Sequence, residues 1–181
     1  MICVDEFGPL NLMPRPGKGW FPAGRPKRLR ATYNRTGGVR HMFAALDLAS
    51  GQIFYRFRDR KRWREFLNFC KQLRRRYPAG KLYVVCDNYG SHKKQQVTDW
   101  CADHGIELVF TPSNASWLNW IEAEFQELRY FTLNASDYPS HAAQEKAIAG
   151  YIRWKNKRAK PQRTFAVGSK IRQPDYLPNV A

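Results

Sequence analysis

The chain has 181 residues, enough for one domain with a substantial core and too few for two comfortable ones. Its 31 Lys and Arg against 15 Asp and Glu leave a net charge of +16, which favours a polyanionic partner over an acidic small molecule, although charge alone leaves a ribosomal or other structural basic protein open. No apolar run approaches the ~18 residues of a membrane span, and Asp5 follows Met1 too soon for a signal segment. Cys3, Cys70, Cys86 and Cys101 form no CxxC pair and lie in apolar or helical contexts, so buried reduced thiols and a soluble cytoplasmic protein are expected, with neither a disulfide frame nor a zinc site.

Taken in chain order, ICVDEF (2–7) reads as a short strand, and the Gly-, Pro- and Arg-rich stretch 8–39 as mostly loop with room for a short strand pair. HMFAALDLASGQIFYRF follows as a hairpin around Ala49-Ser50-Gly51, where the glycine supplies the positive φ of a tight turn. Residues 60–77 form a helix, because Trp63, Phe66, Leu67, Phe69, Cys70 and Leu73 recur at three and four residues while Arg and Lys fill the other face. KLYVVCDN (81–88) is apolar almost throughout, as in a strand buried on both faces and placed centrally in a sheet. A helix at 92–104 closed by Gly105, a strand at 106–110, a helix from Trp117 to Leu133 and a final helix over 140–158 complete the order. Pro161, Pro174 and Pro178 mark an irregular tail, giving one domain over 1–160 and a tail over 161–181. Strand, hairpin, helix, strand, helix, strand is the order of an α/β protein with a mixed five-stranded sheet flanked by helices.

The basic residues are segregated. Between Glu6 and Asp47 there is no acid, yet the stretch holds Arg15, Lys18, Arg25, Lys27, Arg28, Arg30, Arg35 and Arg40. Ten more basic residues lie in 56–76 and six in 153–163. Interleaved with Trp20, Phe21, Tyr33 and Trp154, they have the character of a surface that contacts phosphates and stacks on unpaired bases. Arg25, Lys27, Arg28, Arg30, Lys93, Arg153, Lys155, Lys157 and Arg158 are the candidate DNA contacts. For the 60–76 helix a plain solvated face accounts for the charge equally well.

Three acids stand apart from this background. Asp5 follows a short apolar run, Asp87 sits in VVCDNYGSHK, and Glu122, 34 intervening residues later, sits in ASWLNWIEAEF. Carboxylates gathered at the carboxyl ends of strands can hold hard divalent cations, which take few protein ligands and keep several waters. Two such cations over a phosphodiester activate the attacking oxygen and steady the leaving oxygen. Glu124 and Glu127 are rival acids on the same helix, and Asp47, before the hairpin turn, reads as a turn-forming residue. Asn88 either closes a turn or orients Asp87, and His92 is either an exposed helix-start residue or part of the site. Trp117 and Trp120 read as packing residues, and His41, His104 and His141 show no ligand spacing.

The phrases VDEFG, FAALDLASGQI, VVCDNYGSHK and TPSNASWLNWIEAEF resemble those of bacterial insertion-sequence transposases related to mariner elements, in the catalytic DDE superfamily endonuclease domain. The resemblance covers about residues 1–160. It implies a ribonuclease H-like fold, with a catalytic and metal-binding triad of Asp5, Asp87 and Glu122 supported by Asn88 and His92, and two Mg²⁺ or Mn²⁺ ions. It further implies cleavage of transposon ends by water, attack of the freed 3′ hydroxyl on target DNA, and an N-terminal helix-turn-helix region. Since only four residues precede Asp5, the chain reads as a catalytic half from a split frame with a separately encoded helix-turn-helix half, from a decayed element, or as a fragment, and a homodimer is an expected partner state. Trp120 and Asn114 depart from the family pattern around the third acid. A ribonuclease H-like nuclease of repair or recombination, and a truncated inactive transposase acting as a DNA-binding module, are the alternatives.

Overall fold

The computed structural model describes residues 1–16, 22–24, 37–112 and 115–162. The elements are β1 (Ile2–Asn11), β2 (Val39–Asp47), β3 (Ile53–Arg58), α1 (Trp63–Arg76), β4 (Leu82–Cys86), α2 (Gln95–Asp103), β5 (Ile106–Phe110), a 3₁₀ turn (Ser116–Leu118), α3 (Ile121–Leu128), a π turn (Arg129–Leu133) and α4 (His141–Asn156). One sheet carries all five strands in the order β3-β2-β1-β4-β5. β1 pairs antiparallel with β2, and β2 with β3, whereas β1–β4 and β4–β5 are parallel, so the expected mixed five-stranded α/β sheet is observed.

Alternation along β1 assigns each side chain to a face. Ile2 and Val4 pack with Phe43, Ala45, Val84 and Cys86 against α1 and α2, through Phe66, Phe69, Leu73, Val97 and Cys101. Cys3 and Phe7 pack with Met42, Ala44, Leu46 and Val85 against α3 and α4, through Ile121, Phe125, Leu128, Ile148 and Ile152. Two apolar faces under two helical layers explain why β1, β2 and β4 read as nearly unbroken apolar runs. The four cysteines are free and buried, as expected. The hairpin turn also behaves as expected: Asp47 accepts from Ala49 N (3.0 Å) and Ser50 Oγ (2.8 Å), and Gly51 has φ +73°, where a Cβ would also collide with the Lys160 carbonyl.

Three expectations need correction. β1 runs to Asn11 instead of ending at residue 7, and Asp5 lies within the strand, not at its end. The reason is pairing: β2 continues to bond β1 out to Asn11↔Val39, past a register shift between Phe7 and Leu10, while β4 stops at Cys86. The central strand is therefore β1, not β4. The single helix expected over 117–133 is divided into a 3₁₀ turn, α3 and a π turn. Asn119 breaks it, because its amide leaves the helical path to donate to Val4 O (2.9 Å) while its carbonyl accepts from Glu122 N (3.0 Å) and starts α3. The basic residues Arg25, Lys27, Arg28 and Arg30, the stretch around Asn114 and most of the tail lie outside the described residues.

Candidate active site

The register of β1 and β4 brings two of the acids together. Ile2 faces Val84 and Cys3 faces Val85, a register that carries Asp5 toward Asp87 just past the end of β4, and the Asp87 charge acts on Asp5. Asp5 shares with Cys3 and Phe7 the odd-numbered face of β1 that looks toward α3. Glu122, the second residue of α3, lies over the same ground, because Ile121 and Phe125 seat that helix on Cys3, Phe7 and Val85. Asn119 fixes the start of α3 to the backbone beside Asp5 through its bond to Val4 O.

Electrostatics report the same proximity. Asp5 is buried, and its pKa is raised to about 7, first by burial and then by the charges of Asp87, Glu122 and Glu6, against one bond from Glu6 N (2.7 Å). Asp87 is held below the ordinary carboxylate range by its hydrogen bond to His92. His92 is fully buried, so its reading as an exposed helix-start residue is wrong. Its ring lies 4.0 Å from Phe66, with Nδ1 2.8 Å from Asp87 Oδ1 and Nε2 2.8 Å from Glu6 Oε1. Burial works against a charged ring, but the bonds to Asp87, Cys86 and Glu6 outweigh it, and the His92 pKa is pushed up to about 12. One imidazolium thus serves two carboxylates, one from β1 and one just past β4.

Asp5 and Glu122 have no such counter-ion among the described residues. A polyvalent cation is the group that such a set lacks: hard carboxylate oxygens, one of them forced toward neutrality by its neighbours. Among the described residues, no three Asp, Glu, His or Cys side chains already stand in coordinating geometry, so the trio is gathered without being closed. Asp5, Asp87 and Glu122 fit a divalent metal by charge and by donor chemistry.

The family model of the DDE superfamily endonuclease matches residues 1–143. The chain belongs to this DDE endonuclease family. Solved structures similar to it include the Mos1 transposase paired-end complex with left transposon end (16% identity over 89% of this chain and 48% of that one, TM-score 0.64). The Mos1 mariner paired-end complex with Mn (16%, 89% and 49%, TM-score 0.65) and the Mos1 strand transfer complex (16%, 84% and 46%, TM-score 0.64) are equally similar. At that identity the likeness is one of fold, which is the ribonuclease H-like arrangement expected, and this DDE endonuclease chain spans about half of each Mos1 chain. No match was found among curated proteins.

The remaining candidates divide. Asn88 ties the end of β4 to the residue after β5 by donating to Thr111 O, so it shapes the ground on which Asp87 stands. Lys93 is exposed, with its ammonium 5.4 Å from the Phe110 ring centre, and Arg153, Lys157 and Arg158 are exposed on α4 and just beyond. Lys155 is the correction in this set: its ammonium is held by Glu124 and by Glu127 (2.5 Å), so it staples α3 to α4 and is not available to phosphates. The same pairs remove Glu124 and Glu127 as rivals to Glu122. Trp120 packs on the α3 face of the sheet.

Three residues of the site escaped the sequence reading. Glu6 is the buried partner of His92, and its signal was adjacency: an acid next to Asp5 on a buried strand must face the opposite layer and needs a counter-charge there. Lys61, just before α1, lowers the pKa of Asp87 and places its ammonium 4.7 Å from the Tyr89 ring centre. Arg129 sits with Glu6, Glu122, Gln126 and Tyr130 around a 530 Å³ cavity.

The raised pKa of Asp5 has a measurable consequence. A carboxyl whose folded pKa lies above its unfolded value of 3.8 contributes stability below about pH 4, and that stability is lost as pH rises to about 7. A divalent cation held by Asp5 would reverse the loss. Added Mg²⁺ or Ca²⁺ should therefore raise the melting temperature more at pH 8 than at pH 5.5, in differential scanning fluorimetry, and Asp5→Asn should abolish the difference.

Proposed function

We propose that the chain is the catalytic domain of a transposase, which cuts DNA phosphodiesters and transfers the freed 3′ end to target DNA. The observation that carries this reading is the Asp5–Asp87 pair on neighbouring parallel strands, with Glu122 brought over it by α3 and the Asp5 pKa raised by both neighbours. Asp5, Asp87 and Glu122 would hold two Mg²⁺ or Mn²⁺ ions, which activate the attacking oxygen and steady the leaving oxygen when bound. His92, itself held by Glu6, fixes the orientation of the Asp87 carboxylate. Asn119 sets the height of Glu122 above the strand, and Asn88 sets the loop after Asp87. Lys61 and Arg129 are exposed cations on either side of the carboxylates, suited to non-bridging phosphate oxygens. The basic residues Arg25, Lys27, Arg28, Arg30, Lys93, Arg153, Lys157 and Arg158 would carry the rest of the strand.

The catalytic unit in this proposal is residues 1–160, working in the cytoplasm as a homodimer, with transposon ends and target DNA as substrates. A helix-turn-helix half that reads the ends is a further partner in this proposal. Among the described residues no helix is long and apolar enough to cross a membrane.

The test is product analysis. The purified chain, given Mg²⁺ or Mn²⁺, a supercoiled plasmid and a short duplex with a free 3′ hydroxyl, should yield nicks and also covalently joined duplex–plasmid products. Nicks without joining would favour a ribonuclease H-like nuclease of repair or recombination. Neither product with either metal would sink the enzymatic reading and leave a DNA-binding module.

A further inference from the structure

A row of aromatic rings lies on the surface beyond the carboxylates. Phe131 of the π turn stacks on Tyr151 of α4 (ring centroids 5.6 Å, planes 20° apart), and Tyr151 stacks on Trp154 (6.0 Å, 29°). Tyr130 meets Phe131 edge-on at 5.1 Å, and the Arg158 guanidinium lies 4.7 Å from the Trp154 ring centre at the far end. Tyr130, Phe131 and Trp154 are 59%, 64% and 51% exposed, so these three rings are in water, while Tyr151 between them is half-buried and anchors the row on the core beneath α3 and α4.

The platform is built, not accidental. The π turn inserts an extra residue into the helix, which lets Tyr130 and Phe131 both point outward while Thr132 and Leu133 stay buried. Thr132 Oγ1 bonds Leu128 O (2.7 Å), and the Tyr138 hydroxyl bonds Thr132 O (2.5 Å), locking the turn from behind. The Tyr151 hydroxyl is fixed on Glu127 (3.2 Å).

Charge and position select the occupant. Glu124 and Glu127 beside the row are both paired with Lys155, whereas Arg129, Arg153, Lys157 and Arg158 around it are exposed. An apolar protein surface would leave those cations without partners. A polynucleotide matches both features, because each base has a π face and each phosphate a negative charge. The 530 Å³ cavity lined by Glu122, Gln126, Arg129 and Tyr130 joins the row to the carboxylate site. We propose that Tyr130, Phe131, Tyr151 and Trp154 form a stacking platform for two or three unpaired nucleotides of the DNA strand that leads away from Glu122. The inference rests on the DNA-processing reading of the carboxylate site.

The experiment compares a fluorescein-labelled 20-base-pair blunt duplex with the same duplex bearing a six-nucleotide single-stranded tail, by anisotropy with the full chain in EDTA. The wild-type chain should bind the tailed duplex more tightly than the blunt one. The double variant Phe131→Ala with Trp154→Ala should lose about tenfold to a hundredfold in affinity for the tailed duplex, with blunt-duplex affinity unchanged. Phe131→Leu with Trp154→Leu keeps apolar area without π faces, so it should lose as much. Tailed-duplex affinity that survives in the Leu variant, or a wild-type chain indifferent to the tail, would overturn the platform. So would a dimer in sedimentation that the Ala variant dissociates with tail affinity intact, which would assign the row to a second copy of the chain. Failure of the wild-type chain to bind the blunt duplex at all would instead overturn the DNA-processing reading beneath it.

Discussion

Substitution of Asp5, Asp87 or Glu122 by Ala is expected to lower metal-dependent cleavage by on the order of 10³-fold or more, since in the proposed mechanism each would supply several kcal/mol through the cations it would hold. The three variants should differ in stability. Among the described residues Glu122 has no ion pair to break, so Glu122→Ala should leave the metal-free fold unchanged. Asp5 is buried among like charges, and Asp5→Ala should raise the stability of the metal-free protein at pH 8. Asp87 shares His92 with Glu6, so Asp87→Ala should destabilise. DNA affinity in EDTA should stay level or rise in all three, because a negative charge near phosphates is removed. Nicking assays across a Mn²⁺ titration, with chemical denaturation in parallel, read all of these quantities. A Glu122→Ala protein that cleaves at the wild-type rate would remove Glu122 from the site and with it the third position of the triad.

What the sequence made legible follows the physics of each segment. Amphipathic periodicity placed α1, because Phe66, Phe69, Cys70 and Leu73 are buried in it as their spacing requires. Unbroken apolar runs marked β2 and β4, since both faces of the sheet are covered. Asp5 and Asp87 were identifiable as residues, but their proximity was not, because it depends on the parallel register Cys3↔Val85 between residues 82 apart in sequence. The length of β1 was hidden by Gly8 and Pro9, which read as a break; the strand survives them through a register shift against β2.

The division of the 117–133 segment was hidden for a related reason. Asn119 and Thr132 are compatible with a continuous helix by propensity, and only their long-range and local bonds, to Val4 O and Leu128 O, redirect the backbone. His92 is the plainest example of tertiary context overriding local reading. In sequence it follows a polar turn, NYGS, yet the turn folds it inward onto Phe66 between two acids. Lys155 is the converse, a residue counted with a basic surface that is drawn under α3 by Glu124 and Glu127.

Removal of His92 should be the most damaging change to the fold itself. The imidazolium is buried with Glu6, whose side chain is also buried, and breaking a buried pair by deleting one member typically costs about 3–5 kcal/mol. That is a large part of a total stability of about 5–15 kcal/mol. His92→Ala should therefore shift the urea midpoint strongly, and Glu6→Gln, which keeps volume and one hydrogen bond, should shift it less. The sign of the pH effect follows from the raised pKa. His92 gains protons on folding, so its contribution is fully present below the unfolded value near 6.5 and is lost as pH rises from there toward about 12. This window lies above that of Asp5, which closes near pH 7, and opposite to that of Asp87, whose depressed pKa makes its contribution vanish only in acid. The stability difference between wild type and His92→Ala should accordingly shrink steadily between pH 7 and pH 10. Equal differences at both ends of that range would mean that the ring is neutral in the folded protein and that Asp87 is oriented by a simple hydrogen bond, with no charge behind it.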